Sequence, residues 1–259
     1  METQPTSMRR RCTGLVLAGL LASATPVAAQ PEPSTSSPCG RSPSVGAIAK
    51  DTLRDVWRLP SSGSLGALAI GGVAAFGAHS IDGDVTRDFP AVSGLNGAFK
   101  PGAVIGGTPF QLGAAFGTYA IGRALGRSCV ARVGAELVQA QLMAEGLTMI
   151  FKESTRRSRP EGAGFSFPSG HTTVTFASAT VLQRHFGWKA GLPAYAVASY
   201  VAASRVEMKR HYLSDVAFGA ALGIVAGRTV PIGHGRALML TPMASPSGAG
   251  AQFTLLGAR

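Results

Sequence analysis

Three short blocks of the sequence hold residue types suited to handling a phosphoryl group. The first runs from Lys152 through Arg159 to Pro160. The second is Pro168-Ser169-Gly170-His171. The third is Ser204-Arg205, then His211 after five residues and Asp215 after three more. A phosphoryl group in transfer spreads negative charge over three equatorial oxygens, so its site needs fixed cations and N–H donors. Lys152, Arg159 and Arg205 can supply the cations, and the arginine fork matches two phosphate oxygens at once. Ser169 and Gly170 come just before a helix expected to begin near Thr172. A helix N-terminus offers unpaired N–H groups and partial positive charge, and Gly170 lets backbone approach a ligand closely.

His211 and Asp215 are four residues apart, which places them on one face of a helix. In that arrangement Asp215 accepts from one ring nitrogen and leaves the other lone pair free to attack phosphorus. His171 is then available to protonate the leaving oxygen. Each block alone has an ordinary reading: a solvated helix end, a turn, a surface His–Asp pair. Three complete blocks in order favour the chemical one.

Together, K-x6-RP, PSGH and SR-x5-H-x3-D resemble the signature of the type 2 phosphatidic acid phosphatase (PAP2) superfamily. That superfamily includes class A acid phosphatases and vanadium haloperoxidases. The signature positions are all filled, over residues 152–215. The resemblance implies an all-α fold and a phosphohistidine intermediate, with His211 as nucleophile, Asp215 as its orienter and His171 as acid. It assigns phosphate binding to Lys152, Arg159, Ser169, Gly170 and Arg205, and it implies no metal or other cofactor. The implied substrate is a phosphomonoester or pyrophosphate, lipid phosphates included. The connection from Pro160 to Pro168 is short and leaves little chain for an elaborate pocket or lid. A haloperoxidase, with vanadate in the same cradle, is the alternative within the family; this chain is short and lacks an obvious elaboration for it. A non-catalytic exported protein with a degenerate site is a third reading, opposed by the completeness of the motifs.

Six apolar segments, about 64–79, 102–124, 130–151, 172–186, 190–206 and 213–228, must position these blocks. Their length favours helices over strands, which predicts a bundle of about six core helices. Residues 48–59 can add a short amphipathic helix. The segment 130–151 carries Glu136, Gln139, Gln141 and Glu145, so it is not a simple lipid-facing helix. Around Ser245-Pro246-Ser247-Gly248, residues 236–243 and 251–258 read as a C-terminal β-hairpin. The domain organisation that follows is a signal peptide at 1–29, a disordered linker at 30–47, a phosphatase-like domain at 48–233 and a tail at 234–259. Asp82, Asp84 and Asp88 do not fit a calcium loop. His79, His185 and His234 match no ligand spacing, and Arg156 and Arg157 fall outside the signature.

Composition agrees with an envelope protein. Hydrophobic residues make up 46% and charged residues 14% of the chain, against a soluble average of about 25% charged. The formal charge of +11 suits an anionic partner. No nucleic-acid-binding signature accompanies it, so the expected partner is a phosphorylated small molecule or lipid, with membrane association, and not nucleic acid. Arg9 to Arg11, the apolar run Thr13–Ala24 and Val27-Ala28-Ala29 read as an export signal. Cys39 and Cys129 would remain, either bridged in an oxidising compartment or as two free thiols. If all six segments cross a membrane, the three blocks share one side. Arg123, Arg127, Arg132, Arg184, Lys189 and Arg228 would hold the other, which places the site in the periplasm. A cleaved signal conflicts with that count of crossings unless segment 64–79 does not span or the whole domain is a periplasmic helical globule.

Overall fold

The computed structural model describes residues 39–93, 97–162, 164–232, 237–245 and 248–256. The expected export signal lies outside them, as does the first half of the expected linker. Nine helices are found among the described residues: α1 (Val45–Val56), α2 (Ser62–His79), α3 (Asp82–Ser93), α4 (Lys100–Ile105), α5 (Thr108–Ala124), α6 (Ser128–Thr155), α7 (Gly170–Phe186), α8 (Trp188–Glu207) and α9 (Leu213–Thr229). Two strands, β1 (Ala237–Ser245) and β2 (Gly248–Leu256), pair antiparallel with Ser245 opposite Gly248.

Local chemistry accounts for the helix boundaries. Ser44 caps α1, accepting from the Ala47 amide at 3.2 Å, and Ser61 caps α2, accepting from Ser64 at 3.1 Å. The helix expected over 48–59 therefore starts earlier, at Val45, within the expected linker. The residues just before it are also fixed. Cys39 is bridged to Cys129, Arg132 donates to the carbonyls of Cys39 and Arg41, and Tyr119 donates to Pro43. The segment expected as one helix over 102–124 is two, because Gly106 and Gly107 interrupt it. Pro109 then opens α5, where a missing N–H costs nothing. The sequence reading has no counterpart for α3, whose first turn carries Asp82 and Asp84 at the favourable end of the helix dipole.

The longest helix, α6, runs for 28 residues, about 42 Å. Its Ala131, Ala135, Ala140 and Ala144 are fully buried, as are Val174, Ala177 and Val181 of α7. Such small side chains let the helices lie close. On α9, Gly219, Gly223 and Gly227 form a stripe facing α7. A Cβ on Gly223 would lie 2.3 Å from the Thr173 carbonyl, and one on Gly227 would lie 2.7 Å from that of Ala177. Helix α9 also packs against α2, and α6 against α5 and α7. Among the described residues, no single helix is long and apolar enough to cross a membrane. Only the pair Ser62–His79 and Asp82–Phe89, bent by 69°, passes that test together.

Candidate active site

The three blocks occupy the joints between helices, as their spacing suggests. Lys152 lies in the last turn of α6, and its ammonium donates to the Phe165 carbonyl at 2.7 Å. Arg156 then adopts a left-handed conformation, φ 46°, and ends the helix. The short connection to α7 folds back on itself: Ser158 bridges to Phe165, and the Ser166 amide donates to the Arg157 carbonyl at 2.6 Å. Gly164, at φ 102°, lies beside the Arg159 guanidinium, which a Cβ there would approach to 3.6 Å. Burial, and then the charge of Arg159, lower the Lys152 pKa to about 8. Arg205, in the last turn of α8, is buried, and burial together with Arg210 and Arg159 lowers its pKa to about 10. These cations are close enough to destabilise one another, and a shared anion would relieve that repulsion.

Ser169 is the N-cap of α7 and Gly170 its first residue. The amides of Gly170, His171 and Thr172 have no acceptor within the helix. Ser169 itself is already engaged. Its amide donates to the Asp215 carbonyl at 3.1 Å, and its hydroxyl accepts from Thr172 Oγ1 at 3.0 Å. The Ser169 amide thereby ties the turn to α9. His171 has its pKa lowered to about 4, chiefly by burial and then by Arg205 and His211.

His211 is 2% exposed. Its Nδ1 lies 2.7 Å from the Ser166 carbonyl and 3.6 Å from Asp215 Oδ2. A carbonyl only accepts, so Nδ1 carries the proton and the neutral ring has its lone pair on Nε2. Burial pushes the His211 pKa down, against the pull of Asp215. The Ser166 carbonyl is the nearer acceptor of the Nδ1 proton, and Asp215 faces the same nitrogen from 3.6 Å. Asp215 also holds the pieces around the ring: its Oδ2 accepts from Ser166 Oγ and from the Tyr212 amide, and its backbone carbonyl accepts from Ser169.

A second group was not expected from the sequence. Arg157 Nη1 donates to Asp215 Oδ1 at 2.8 Å and to Ser214 Oγ at 2.7 Å, while Nη2 donates to Asp82 Oδ2 at 2.8 Å. Its guanidinium lies 4.1 Å from the Tyr212 ring centroid. Asp82, on α3, accepts from the Ser214 amide and hydroxyl and lies 3.1 Å from His79 Nδ1. Three residues given bland readings, His79, Asp82 and Arg157, thus brace the start of α9. His79 and Asp82 pair at a spacing of three, but their contacts with Arg157 and Ser214 lie far along the chain. The one available signal was the position of Arg157, two residues before Arg159.

Comparison with known proteins follows this geometry. Residues 147–237 match the PAP2 superfamily. The chain is 42% identical over 86 residues to the lipid A 1-phosphatase of Porphyromonas gingivalis, covering 32% of this chain and 19% of that protein. It is 36% identical over 105 residues to the decaprenylphosphoryl-5-phosphoribose phosphatase of Mycobacterium tuberculosis, covering 36% of this chain and 58% of that one. The matched part is thus less than two thirds of either relative's length. Among solved structures, a transmembrane PAP2-type phosphatidylglycerolphosphate phosphatase from Bacillus subtilis aligns with a TM-score of 0.46 at 19% identity, over 71% of this chain and 92% of that one.

Proposed function

We propose, from the premise that residues 147–237 belong to the PAP2 superfamily, that the protein is an exported, membrane-associated lipid-phosphate phosphatase working through a phosphohistidine. The observation that carries this reading is the state of His211: buried, neutral, protonated at Nδ1, with Nε2 as its lone-pair nitrogen beside a set of buried cations. Nε2 attacks phosphorus, a P–N bond forms and the P–O bond to the leaving group breaks. Lys152, Arg159, Arg205 and the first amides of α7 take the charge on the equatorial oxygens. His171 gives its proton to the leaving oxygen. Burial, Arg205 and His211 disfavour the charged ring, and the negative charge of a bound phosphate favours it and so supplies the proton. In the second half, His171 removes a proton from water, which attacks phosphorus and releases His211.

A lipid substrate is supported by the names of the two curated relatives. It is also supported by apolar side chains left exposed on α2: Ile70 and Val73 at 74% and Phe76 at 82%. An apolar cavity of about 380 Å³ lies next to the site residues in sequence, with Val206 beside Arg205 and Val216 beside Asp215 among its lining. The Cys39–Cys129 bridge supports an oxidising compartment, hence a site on the periplasmic side.

Phosphate release should be measured from phosphatidic acid in mixed micelles and from a chromogenic soluble ester. Turnover of the lipid and its loss in His211→Ala are the expected results. Unchanged turnover in that variant, or failure to trap an acid-labile phosphoprotein, would overturn the nucleophile assignment.

A further inference from the structure

Glu145 takes no part in the steps above. It stands on α6 two turns before Lys152, so both side chains lie on one face. Its Oε1 is 3.4 Å from Thr108 Oγ1 at the start of α5. Its Oε2 is buried and has no hydrogen-bond partner among the described residues. That oxygen faces the first residue of α7: a Cβ on Gly170 would lie 3.8 Å from it. Thr148, one turn further along α6, brings its Cγ2 to 3.4 Å from the same point. Its hydroxyl is likewise buried and unpartnered among the described residues. Hydrogen-bonding capacity therefore stands unmet beneath the helix end that also has to accept phosphate.

The groups around this carboxyl set its charge. Burial raises its pKa, against the pull of Thr108 and of Lys152. From α5 it meets uncharged Thr108. From its own helix it meets the ammonium of Lys152, and from α7 the start of the helix at Gly170.

We propose that Glu145 is a proton-coupled member of the phosphate site, taking one proton from solvent onto its carboxylate when phosphate enters. The inference rests on the function proposed above. An ionised carboxylate and a phosphate dianion compete for one positive helix end, whereas the neutral carboxyl removes the repulsion and adds a donor. No bond to phosphorus forms or breaks in this step. Below the pKa of Glu145 the proton is already present and binding costs nothing extra. Above it the proton must be taken up, so affinity falls with pH more steeply than the other groups require.

The test is the inhibition constant of inorganic phosphate from pH 5 to 8.5 for the wild type and Glu145→Gln, with calorimetric proton counts in two buffers of different ionisation enthalpy. The expected result is near-equal affinity at pH 5. Above the pH at which the two profiles part, the wild-type affinity should fall about tenfold further per pH unit than that of the variant, and the variant should take up about one proton less. Parallel pH profiles with equal proton counts would overturn the proposal. Circular dichroism checks folding, and Glu145→Ala repeats the comparison if the glutamine variant unfolds. A wild type that releases no phosphate from any ester and binds none would instead sink the proposed function. Turnover with parallel profiles sinks only the role of Glu145.

Discussion

Replacing Arg157 by alanine should destabilise the fold by about 3–5 kcal/mol at neutral pH, and the loss should shrink in acid. Arg157 stands between two carboxylates whose side chains are 5% and 0% exposed, Asp82 and Asp215, at 2.8 Å from each. Its removal leaves both as buried charges, and breaking a buried pair from one side typically costs about 3–5 kcal/mol. For a domain of this size that is a fall of roughly 6–20 °C in Tm. The pH dependence separates this cause from a mere loss of packing. In Asp82 and Asp215 burial acts to raise the pKa. Hydrogen bonds from Arg157 and Ser214 at Asp82, and the pull of His211, Ser166, Tyr212 and Arg157 at Asp215, outweigh burial and hold both below the ordinary value. A depressed carboxylate contributes stability above its unfolded pKa, about 3.9, and loses it as pH falls through the folded pKa. The variant lacks part of that depression, so its deficit is full at pH 7 and narrows toward pH 4, where its carboxyls take up protons. Arg157→Lys should recover less than half, since one ammonium cannot span both carboxylates as a planar fork does. Chemical denaturation at pH 4, 5.5 and 7 reads all three. A deficit below about 1 kcal/mol, or one independent of pH, would refute the reasoning.

Other predictions follow from the same structure. Reducing the Cys39–Cys129 bridge, which spans a sequence separation of 90, should cost about 4–5 kcal/mol; denaturation with and without reductant measures it. Gly223→Ala places a Cβ 2.3 Å from the Thr173 carbonyl and should cost roughly 2–3 kcal/mol. By contrast Gly113→Ala, with nothing within 4 Å, should lose nothing in the same melting experiment. His171, at about 4 against an ordinary 6.5, binds fewer protons folded than unfolded, so the wild type loses stability as pH falls from 6.5 to 4. His171→Asn should flatten that window by about 3 kcal/mol, read from denaturation midpoints.

The parts of the site visible in the sequence were those whose spacing is local. Lys152 and Arg159 flank a helix end, and Ser169 and Gly170 open a helix. Both follow from the chemistry of helix termini. His211, by contrast, stands before Tyr212, the N-cap of α9, and Asp215 lies in its first turn, so the shared helix face expected from their four-residue spacing does not form. The parts not visible depend on approach through space. Arg157 meets Asp82 and Asp215 across separations of 75 and 58 residues. The nearer acceptor for His211 is a backbone carbonyl at Ser166, which no side-chain pattern can announce. Helix α3 was missed because its charged first turn reads as loop. The break at Gly106-Gly107 was missed because apolar composition runs through it. The C-terminal hairpin was legible from its turn residues, and its strands pair over 237–245 and 248–256, near the expected 236–243 and 251–258.

The glycine stripe on α9 has a consequence for where this fold can work. A contact in which backbone meets backbone gains its energy from dispersion between the touching atoms, and expulsion of water adds little. Hydrocarbon, detergent and water therefore reward it alike. The α7–α9 seam carries His171 on one helix and sets the approach of Asp215 on the other. The spacing of the reacting groups should accordingly survive extraction from a bilayer, even where the greasy outer faces of α2 rearrange around a new solvent.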